Sequence, residues 1–294
     1  MRSCVILVMG PGRWSEPNEG VTRFSQEHTL PDLNKIVPLI PVGLADYHCH
    51  CDYSIDASGS IDDFCRAALK RNLAEICFTT HYDTNPRSAD GVGRMRVEGE
   101  EQPASHDALA MYVEDVRLAH ERYYPLGLSV VLGLEYGWYT GCEEEVARLR
   151  ERFEFDYLLA GVHEIEDICY CCSHMYQRCF DRYSVEKMAE MYYREVTGAA
   201  RSGLFNTIAH LDYYRKYGEL YYGPAVHQAH RPFISEVFLA LRDSGTALEV
   251  NTAARRKGLD SFYPQNEIIN AARRAGVEII HLGSDAHAPE QVGS

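Results

Sequence analysis

Two histidines separated by one residue, followed shortly by an aspartate, have the clearest chemical potential in this sequence. His48 and His50 come at the end of an apolar approach, and Asp56 follows the second histidine by six residues. Because alternate residues of a β-strand point to the same side, the two imidazoles are expected to project together from a strand end. Two imidazoles and a carboxylate suit zinc, iron or manganese, although an H-x-H pair is as often found without a metal.

The same kinds of side chain recur where other short apolar segments end. Such segments predict strands at 75–83, 128–134, 156–162, 206–209, 246–250 and 277–282. At or just after the ends of five of them stand His81, Glu135, His163, His210, Asp285 and His287. A single histidine at a strand end is more often a satisfied polar residue than a ligand. Nine candidate ligands from several strand ends favour a metal site.

Helical patterns fill the gaps between these strands. Helices are predicted at 60–72, near 109–119, and at 143–152, 184–201, 232–244 and 264–275. In the first of them, Ser60 is expected to be the N-cap, with Asp63 as its capping-box partner. The polar or irregular stretches 85–106, 164–183 and 213–222 are expected to be loops.

Repeated strand-then-helix units predict an α/β protein with a parallel sheet wound into a barrel. Such barrels carry their active sites at the carboxyl ends of the strands, where the candidate ligands fall. We expect a single domain over residues 41–294. Residues 1–40, rich in proline and glycine, are expected to form a loose N-terminal arm without assigned chemistry.

An acidic composition limits the classes of partner. The chain of 294 residues has a formal net charge of −14, and nucleic-acid binding needs clustered lysine and arginine. A small phosphorylated substrate met by a few local arginines stays compatible with this charge. No apolar run reaches the roughly 18 residues of a membrane span. The ten cysteines lack the regular spacing of a small secreted scaffold, so we expect a cytoplasmic protein with mostly reduced cysteines; nothing indicates its oligomeric state.

Nine candidate ligands exceed the three or four of a single catalytic zinc site. Shared carboxylates would allow them to hold two or three divalent ions. A cluster of this kind can generate hydroxide at neutral pH and bind an oxyanion, which are the requirements of phosphate ester hydrolysis. The cysteine-rich segment 169–179 is a weaker candidate for a separate structural zinc site.

These motifs resemble those of the polymerase-and-histidinol-phosphatase (PHP) family of metal-dependent phosphoesterases, in particular its histidinol-phosphatase branch. The matching stretches, in the order of the family, are DYHCHCDYSIDAS, EICFTTHYD, LGLEYGW, DYLLAGVH, IAHLDYYRKYG, LEVNTAARRKG and GSDAH. The resemblance implies a distorted seven-stranded (β/α)7 barrel of the TIM-like type, with two or three metal ions at its carboxyl face. Relatives usually continue further beyond the final histidine, so the closing seam of the barrel is expected to differ here.

The resemblance also implies roles for individual residues. It implies one ion held by His48, His50, Glu135 and Asp285, a second by Glu135, His163 and His210, and a third by Asp56, His81 and His287. A hydroxide between ions would attack phosphorus, and Asp285 or His287 would supply the proton that the leaving alcohol needs. Arg215 and Arg256 are expected to contact the substrate phosphate, because a planar guanidinium can bind two oxygens at once.

The function implied most directly is hydrolysis of L-histidinol phosphate to L-histidinol and phosphate, a step of histidine biosynthesis. One alternative is a PHP phosphoesterase acting on nucleotides or short oligonucleotides. A second is a carbon–nitrogen hydrolase of the amidohydrolase barrel class, which also begins with H-x-H on its first strand but usually uses a lysine where this chain has Glu135. A third is a metal-binding regulatory module, against which the complete ligand set argues.

Overall fold

The computed structural model describes residues 43–278 and 281–294. The predicted N-terminal arm at 1–40 lies outside the described residues, so its boundary with the domain stays a prediction. Pro41–Ser294 forms one compact unit. No helix among the described residues is long and apolar enough to cross a membrane.

Short strands alternate with helices along most of the described chain. The strands are β1 (Leu44–Cys49), β2 (Leu73–Phe78), β3 (His81–Tyr82), β4 (Arg94–Val97), β5 (Glu100–Pro103), β6 (Ser129–Gly137), β7 (Tyr157–Gly161), β8 (Glu164–Ile165), β9 (Ile168–Cys169), β10 (Thr207–Ile208), β11 (Ala247–Leu248), β12 (Val250–Asn251) and β13 (Leu282–Gly283). The helices are α1 (Ile61–Lys70), α2 (His106–Tyr123), α3 (Glu143–Phe153), α4 (Tyr176–Phe180), α5 (Val185–Ser202), α6 (Arg215–Tyr222), α7 (Ile234–Ser244), α8 (Ala253–Arg256) and α9 (Asn266–Ala275).

The main sheet is parallel and has the strand order β1-β2-β6-β7-β10-β11, with β3 also paired to β6. A second parallel pair joins β12 to β13. Beyond β13, Ala286 bridges to Cys49 of β1: the amide of His50 donates to the carbonyl of Ala286 over 2.8 Å. The protein is therefore an α/β fold with a curled parallel sheet, as the alternation of strands and helices predicted.

Helices pack on the sheet through buried apolar faces and a few fixed polar contacts. The predicted capping box of α1 is confirmed, since the side chain of Ser60 accepts from the amide of Asp63 and the carboxylate of Asp63 accepts from the amide of Ser60. Tyr112 of α2 is buried, and its hydroxyl lies 2.8 Å from the carbonyl oxygens of Phe78 and Gly133. This contact fixes α2 against β2 and β6, the strands that lead into the candidate ligands His81 and Glu135.

Three segments expected to be loops contain regular structure, so those predictions were wrong. Residues 85–106 include the antiparallel hairpin β4–β5, residues 164–183 include the hairpin β8–β9 and α4, and residues 213–222 are mostly α6. In β4 the buried Met95 and Val97 alternate with arginines, which is the period of a strand with one buried face. The glycines around this short segment obscured that alternation in the sequence.

The cysteines divide into two groups. Cys169 and Cys172 form a disulfide, which is an exception to the expectation of reduced cysteines, and seven others in the described chain are free. Cys49 and Cys51, which alternate with the histidine pair, are fully buried in the core. Their side chains therefore serve packing, as the alternation along the strand predicted.

Candidate metal centre

Glu135 lies at the middle of the predicted ligand set. It stands near the carboxyl end of β6 and its side chain is completely buried. Around Oε2 are Nε2 of His48 at 3.2 Å, Nε2 of His50 at 3.5 Å and Nδ1 of His81 at 3.0 Å. Around Oε1 are Nε2 of His210 at 2.7 Å and of His163 at 3.3 Å. One carboxylate thus joins imidazoles from several strands, as a bridging ligand must.

The remaining carboxylates of the predicted set flank this arrangement on one side. Oδ1 of Asp285 lies 3.4 Å from Nε2 of His50 and 3.4 Å from Nδ1 of His287. Oδ2 of Asp56 lies 3.2 Å from Nε2 of His287 and 3.8 Å from Nε2 of His81. All nine residues singled out in the sequence therefore meet at one end of the sheet.

The donor atoms form groups of the size that an ion requires. In each of four triads the ligand atoms lie within 4.8 Å of one another: His48, His50 and Asp285; His48, Glu135 and His210; His81, Glu135 and His163; His50, His81 and His287. Nε2 of His50 is buried and makes no hydrogen bond within the described residues. A buried ring nitrogen without a partner, beside two carboxylates, fits a divalent cation.

Electrostatics in the cluster favour ionised carboxylates and some neutral imidazoles. Burial by itself raises the pKa of Glu135, but His48, His81 and other imidazoles lower it more, so the net pKa lies well below its ordinary value. Burial, with the nearby His81 and His287, holds the pKa of His50 well below the usual range. A carboxylate and a neutral imidazole are the forms that coordinate a metal.

The backbone brings these side chains together at the cost of unusual conformations. His210 and Asp285 have φ values of 23° and 54°, and positive φ in residues other than glycine marks strain that is typical of functional sites. Gly161, at the end of β7, leaves the space that the ligands occupy: a Cβ there would lie 2.6 Å from Oε1 of Glu135 and 2.6 Å from Nε2 of His163. A side chain at this position is incompatible with the cluster.

Two carboxylates that sequence reasoning missed make hydrogen bonds with candidate ligands and orient them. Oε1 of Glu249 lies 2.7 Å from Nδ1 of His48, and its Oε2 accepts from the amide of His210 over 2.7 Å. Oδ1 of Asp83 lies 3.2 Å from Nδ1 of His163. Such contacts fix the ring orientation and the tautomer of a metal-binding histidine. The available signal was a charged residue, Glu249, inside a short segment predicted to be a buried strand.

Arg215 is held by contacts with other residues of the protein, and its predicted contact with substrate phosphate stays a prediction. Its side chain is 1% exposed and forms a two-pronged ion pair with Asp212 over 2.9 and 3.2 Å. Nη1 donates to Ser261, Nη2 also donates to the carbonyl of Phe262, and the guanidinium lies over the ring of Tyr263. These contacts engage each nitrogen of the guanidinium within the protein.

Other positively charged side chains lie near the candidate ligands. Arg256 is exposed and donates to the backbone carbonyl of the ligand Asp285 over 2.9 Å. Tyr213 stacks on the ligand His210 with ring centroids 4.1 Å apart, and Nζ of Lys257 lies 3.1 Å from its hydroxyl. Nζ of Lys216 lies 5.1 Å from the centroid of the same ring. Three positive groups therefore lie beside Asp285 or beside Tyr213, the residue that stacks on His210.

A parallel α/β sheet whose strand ends gather imidazoles and carboxylates around a buried glutamate is typical of a metal-dependent hydrolase. The chain belongs to the PHP family, since the PHP domain matches residues 46–253. The ligands Asp285 and His287 lie beyond that match, so their assignment depends on the geometry described above.

Proteins with curated names resemble most of the chain. A "Probable histidinol-phosphatase" of Deinococcus radiodurans is 32% identical over 251 residues, which cover 85% of this chain and 89% of that protein. The "Histidinol-phosphatase" of Lactococcus lactis is 27% identical over 248 residues, and the match covers 82% of this chain and 83% of that protein. A crystal structure of the Lactococcus lactis histidinol phosphate phosphatase with zinc, L-histidinol and phosphate superposes with a TM-score of 0.65 at 21% identity, covering 84% of this chain and 87% of that one.

Proposed function

We propose that this protein is a metal-dependent phosphomonoesterase that hydrolyses L-histidinol phosphate to L-histidinol and phosphate. The observation that carries the proposal is the convergence of eight other imidazole and carboxylate side chains on the buried Glu135 and its neighbours. The names of the relatives, and a similar fold seen with zinc, L-histidinol and phosphate, support the choice of substrate. The net charge of −14 suits a small substrate better than a nucleic acid.

Two or three divalent ions, zinc, manganese or iron, would occupy the centre. The sets we propose are His48, His50, Glu135 and Asp285; Glu135, His163 and His210; and Asp56, His81 and His287. The short contacts of Glu135 with five imidazoles support a bridging role. When bound, such ions lower the pKa of water and neutralise the charge of a phosphoryl group.

The protein's own residues would bind the phosphate and donate a proton to the leaving alcohol. Lys257, Lys216 and Arg256 would pair with phosphate oxygens; Arg256 is the one arginine of the sequence prediction that stays accessible. Asp285 or His287 would protonate the leaving alcohol. In support, the side chain of His287 is 26% exposed, the most accessible of the six imidazoles, and its Nδ1 lies 3.1 Å from the carbonyl oxygen of Asp285.

The fold that we infer for this activity is the distorted seven-stranded (β/α)7 barrel of the PHP family. Strands β11 and β12 are separated only by Glu249, so they continue one another, and β12 pairs with β13. The bridge from Ala286 to Cys49 joins the segment after β13 to β1. These pairings support a closed ring of seven strand segments. We place the protein in the cytoplasm, as the predominance of free cysteines in the described chain suggests.

The test is phosphate release from a panel of substrates after loading the protein with manganese, zinc or iron. The panel holds L-histidinol phosphate, nucleoside monophosphates, other small phosphomonoesters and a generic phosphodiester. We expect a strong preference for L-histidinol phosphate, abolished in Glu135→Ala. Activity confined to nucleotides or diesters would assign the protein to another PHP phosphoesterase. No activity with ions bound would instead favour a carbon–nitrogen hydrolase.

A further inference from the structure

The loop that carries Asp56 is held by a single guanidinium from another part of the chain. Arg96 stands on β4, in the hairpin β4–β5 that follows the candidate ligand His81 in the sequence. Its Nη1 and Nη2 donate to four backbone carbonyls of the loop. The acceptors are Asp52, Ser54 and Ala57 for Nη1, at 3.2, 3.3 and 3.1 Å, and Ile55 for Nη2, at 2.6 Å.

The acceptors surround the candidate ligand in the sequence. Ile55 and Ala57 are the residues immediately before and after Asp56, so Arg96 holds one carbonyl on each side of it, that of the peptide unit before Asp56 and that of the peptide unit after Ala57. The side chain of Asp56 is 56% exposed, and burial therefore does little to fix its position. In the proposed third set it is the only carboxylate, beside His81 and His287. What holds this carboxylate near the imidazoles is the shape of its loop.

Arginine is the residue suited to this task. Its planar guanidinium presents five N–H donors in a fixed fork, whereas a lysine ammonium is a compact group with three donors. The backbone reinforces the contact, because the amide of Arg96 also donates to the carbonyl of Tyr53 over 2.9 Å. Met95, the neighbour of Arg96, is fully buried and bridges to Ser54 of the loop. These contacts hold the hairpin against the Asp56 loop, so that the guanidinium of Arg96 reaches the loop carbonyls.

The loop also connects to the other ligands of the third set. The amide of Ser58 donates to the carbonyl of His287 over 2.9 Å. The hydroxyl of Ser54 accepts from the amide of His81 over 3.1 Å. A side-chain contact at one end and a backbone contact at the other therefore set the loop against the residues His81 and His287, and Arg96 fixes the curvature of the chain between them.

We propose that Arg96 is a positioning residue that creates the site of the third ion by fixing the loop of Asp56. The inference rests on the proposed three-ion centre and deepens it. Arg96 itself touches neither the substrate nor an ion. It contacts none of the ligands of the other two ion sites, so its loss affects one ion out of three.

The neighbouring arginine of the same strand provides a matched control. Arg94 is also on β4, but its guanidinium donates to the carbonyl of Glu101 within the hairpin over 2.7 Å and lies 3.7 Å from the carboxylate of the same residue. Arg94→Gln removes the same charge from the same strand without changing the Asp56 loop. Any effect of Arg96→Gln that Arg94→Gln reproduces comes from the hairpin rather than from the loop.

The experiment measures the number of bound ions and the affinity for each. Metal-free wild type, Arg96→Gln, Arg96→Lys and Arg94→Gln are dialysed against buffered series of free zinc or manganese, and bound metal is counted by mass spectrometry. Contacts of this kind behind a ligand typically change metal affinity about 10- to 100-fold. We expect Arg96→Gln to weaken the third ion by that factor with the first two unchanged. Arg96→Lys should fall between Arg96→Gln and wild type, and Arg94→Gln should match wild type.

Three results would overturn the inference. The first is an unchanged affinity for the third ion in Arg96→Gln. The second is an equal loss of affinity for all ions in both Arg96 variants, together with a lower melting temperature. The third is a wild-type protein that saturates with two ions. Turnover of L-histidinol phosphate by wild type separates this inference from the proposed function. Three ions without such turnover would refute the proposed substrate and leave the role of Arg96 intact. Turnover of L-histidinol phosphate by a wild type that binds only two ions would support the proposed substrate and refute the role of Arg96.

Discussion

Glu249 links two metal ligands although it is not placed to be one itself. It is buried, and its carboxylate contacts the ring of His48 and the amide of His210. We predict that Glu249→Gln lowers metal affinity or kcat about 10- to 100-fold, the usual effect of removing a carboxylate behind a metal-binding histidine. Metal titration and steady-state kinetics measure this. Glu236→Gln, which changes an exposed glutamate on α7, should match wild type, and equal results for both variants would contradict the role of Glu249.

Lys257 gives the proposed phosphate site a pH dependence with a definite sign. Although the residue as a whole is exposed, burial of its ammonium group is the main factor that lowers its pKa to about 8. The group is charged below that pH and neutral above it. Binding of an anionic phosphate should therefore weaken as pH rises through about 8, and kcat/KM should fall with it.

Replacement by arginine, which stays charged, should move this fall of kcat/KM to higher pH. Lys257→Met should lower kcat/KM below pH 8 and remove most of the difference between pH 7 and pH 9. Arg255→Met, on an exposed neighbour paired at 3.7 Å with Asp260, is the control. An unchanged pH profile in both Lys257 variants would exclude this lysine from phosphate binding.

Arg215 is expected to support folding and not substrate binding. Removing one partner of a buried ion pair leaves the other charge uncompensated, which typically costs about 3–5 kcal/mol. Arg215→Met should therefore lower the free energy of unfolding by about that amount in urea titrations, with little effect on KM in the protein that remains folded. A large rise in KM with unchanged stability would restore the original prediction of a phosphate contact.

The contrast between these residues shows what the sequence could predict at this scale. Histidines and carboxylates at strand ends could be predicted to lie together, because the strands of a parallel sheet end at the same edge. Their residue types then indicate metal chemistry. Arg215 lies in the same kind of stretch, five residues after His210, but whether its side chain turns outward or into the core depends on Asp212 and Tyr263. Those contacts are set by tertiary packing, which the local pattern does not contain.

Among the elements, β7 illustrates how backbone geometry limits the centre. Its last residue, Gly161, has an ordinary φ, so alanine there strains no backbone, yet its Cβ would lie within 2.6 Å of two ligand atoms. Ligands of such centres must be held to within about 0.5 Å. We predict that Gly161→Ala leaves the far-UV circular dichroism unchanged while weakening metal binding and reducing kcat at least tenfold. Normal metal affinity in this variant would show that Glu135 and His163 move aside freely.

The elements also show where prediction from sequence stops. The capping box of α1 and most of the long helices were predicted to within about two residues, because local spacing and cap chemistry determine them, whereas α2 extends beyond the predicted 109–119 at both ends. The hairpin β4–β5 was expected to be a loop, since its strands are short and its outer face is polar. Its function is visible only once Met95 and Arg96 are seen against the Asp56 loop, which lies some forty residues earlier in the sequence.

At the scale of the whole molecule, the centre joins distant parts of the chain through charges that repel or attract one another. Glu135 is fully buried among imidazoles, and a buried charge is costly unless it is paired or coordinates a metal. Ions that bind only the folded protein stabilise it by mass action. Each contributes about 4 kcal/mol when its free concentration is a thousand times its dissociation constant.

Chelation should therefore lower the melting temperature of the entire domain. A change of 1 kcal/mol shifts the melting temperature of a domain of this size by about 2–4 °C, so each ion removed should cost roughly 10 °C at that excess of metal. Differential scanning calorimetry of chelated protein, followed by stepwise return of zinc or manganese, measures the effect. Glu135→Gln, which changes the carboxylate shared by two of the three proposed sets, should show a smaller difference in melting temperature with and without metal than the wild type. If chelation left the wild-type transition unchanged while removing the ions, the strand ends would be held together by the protein alone, and the ions would serve catalysis without supporting the fold.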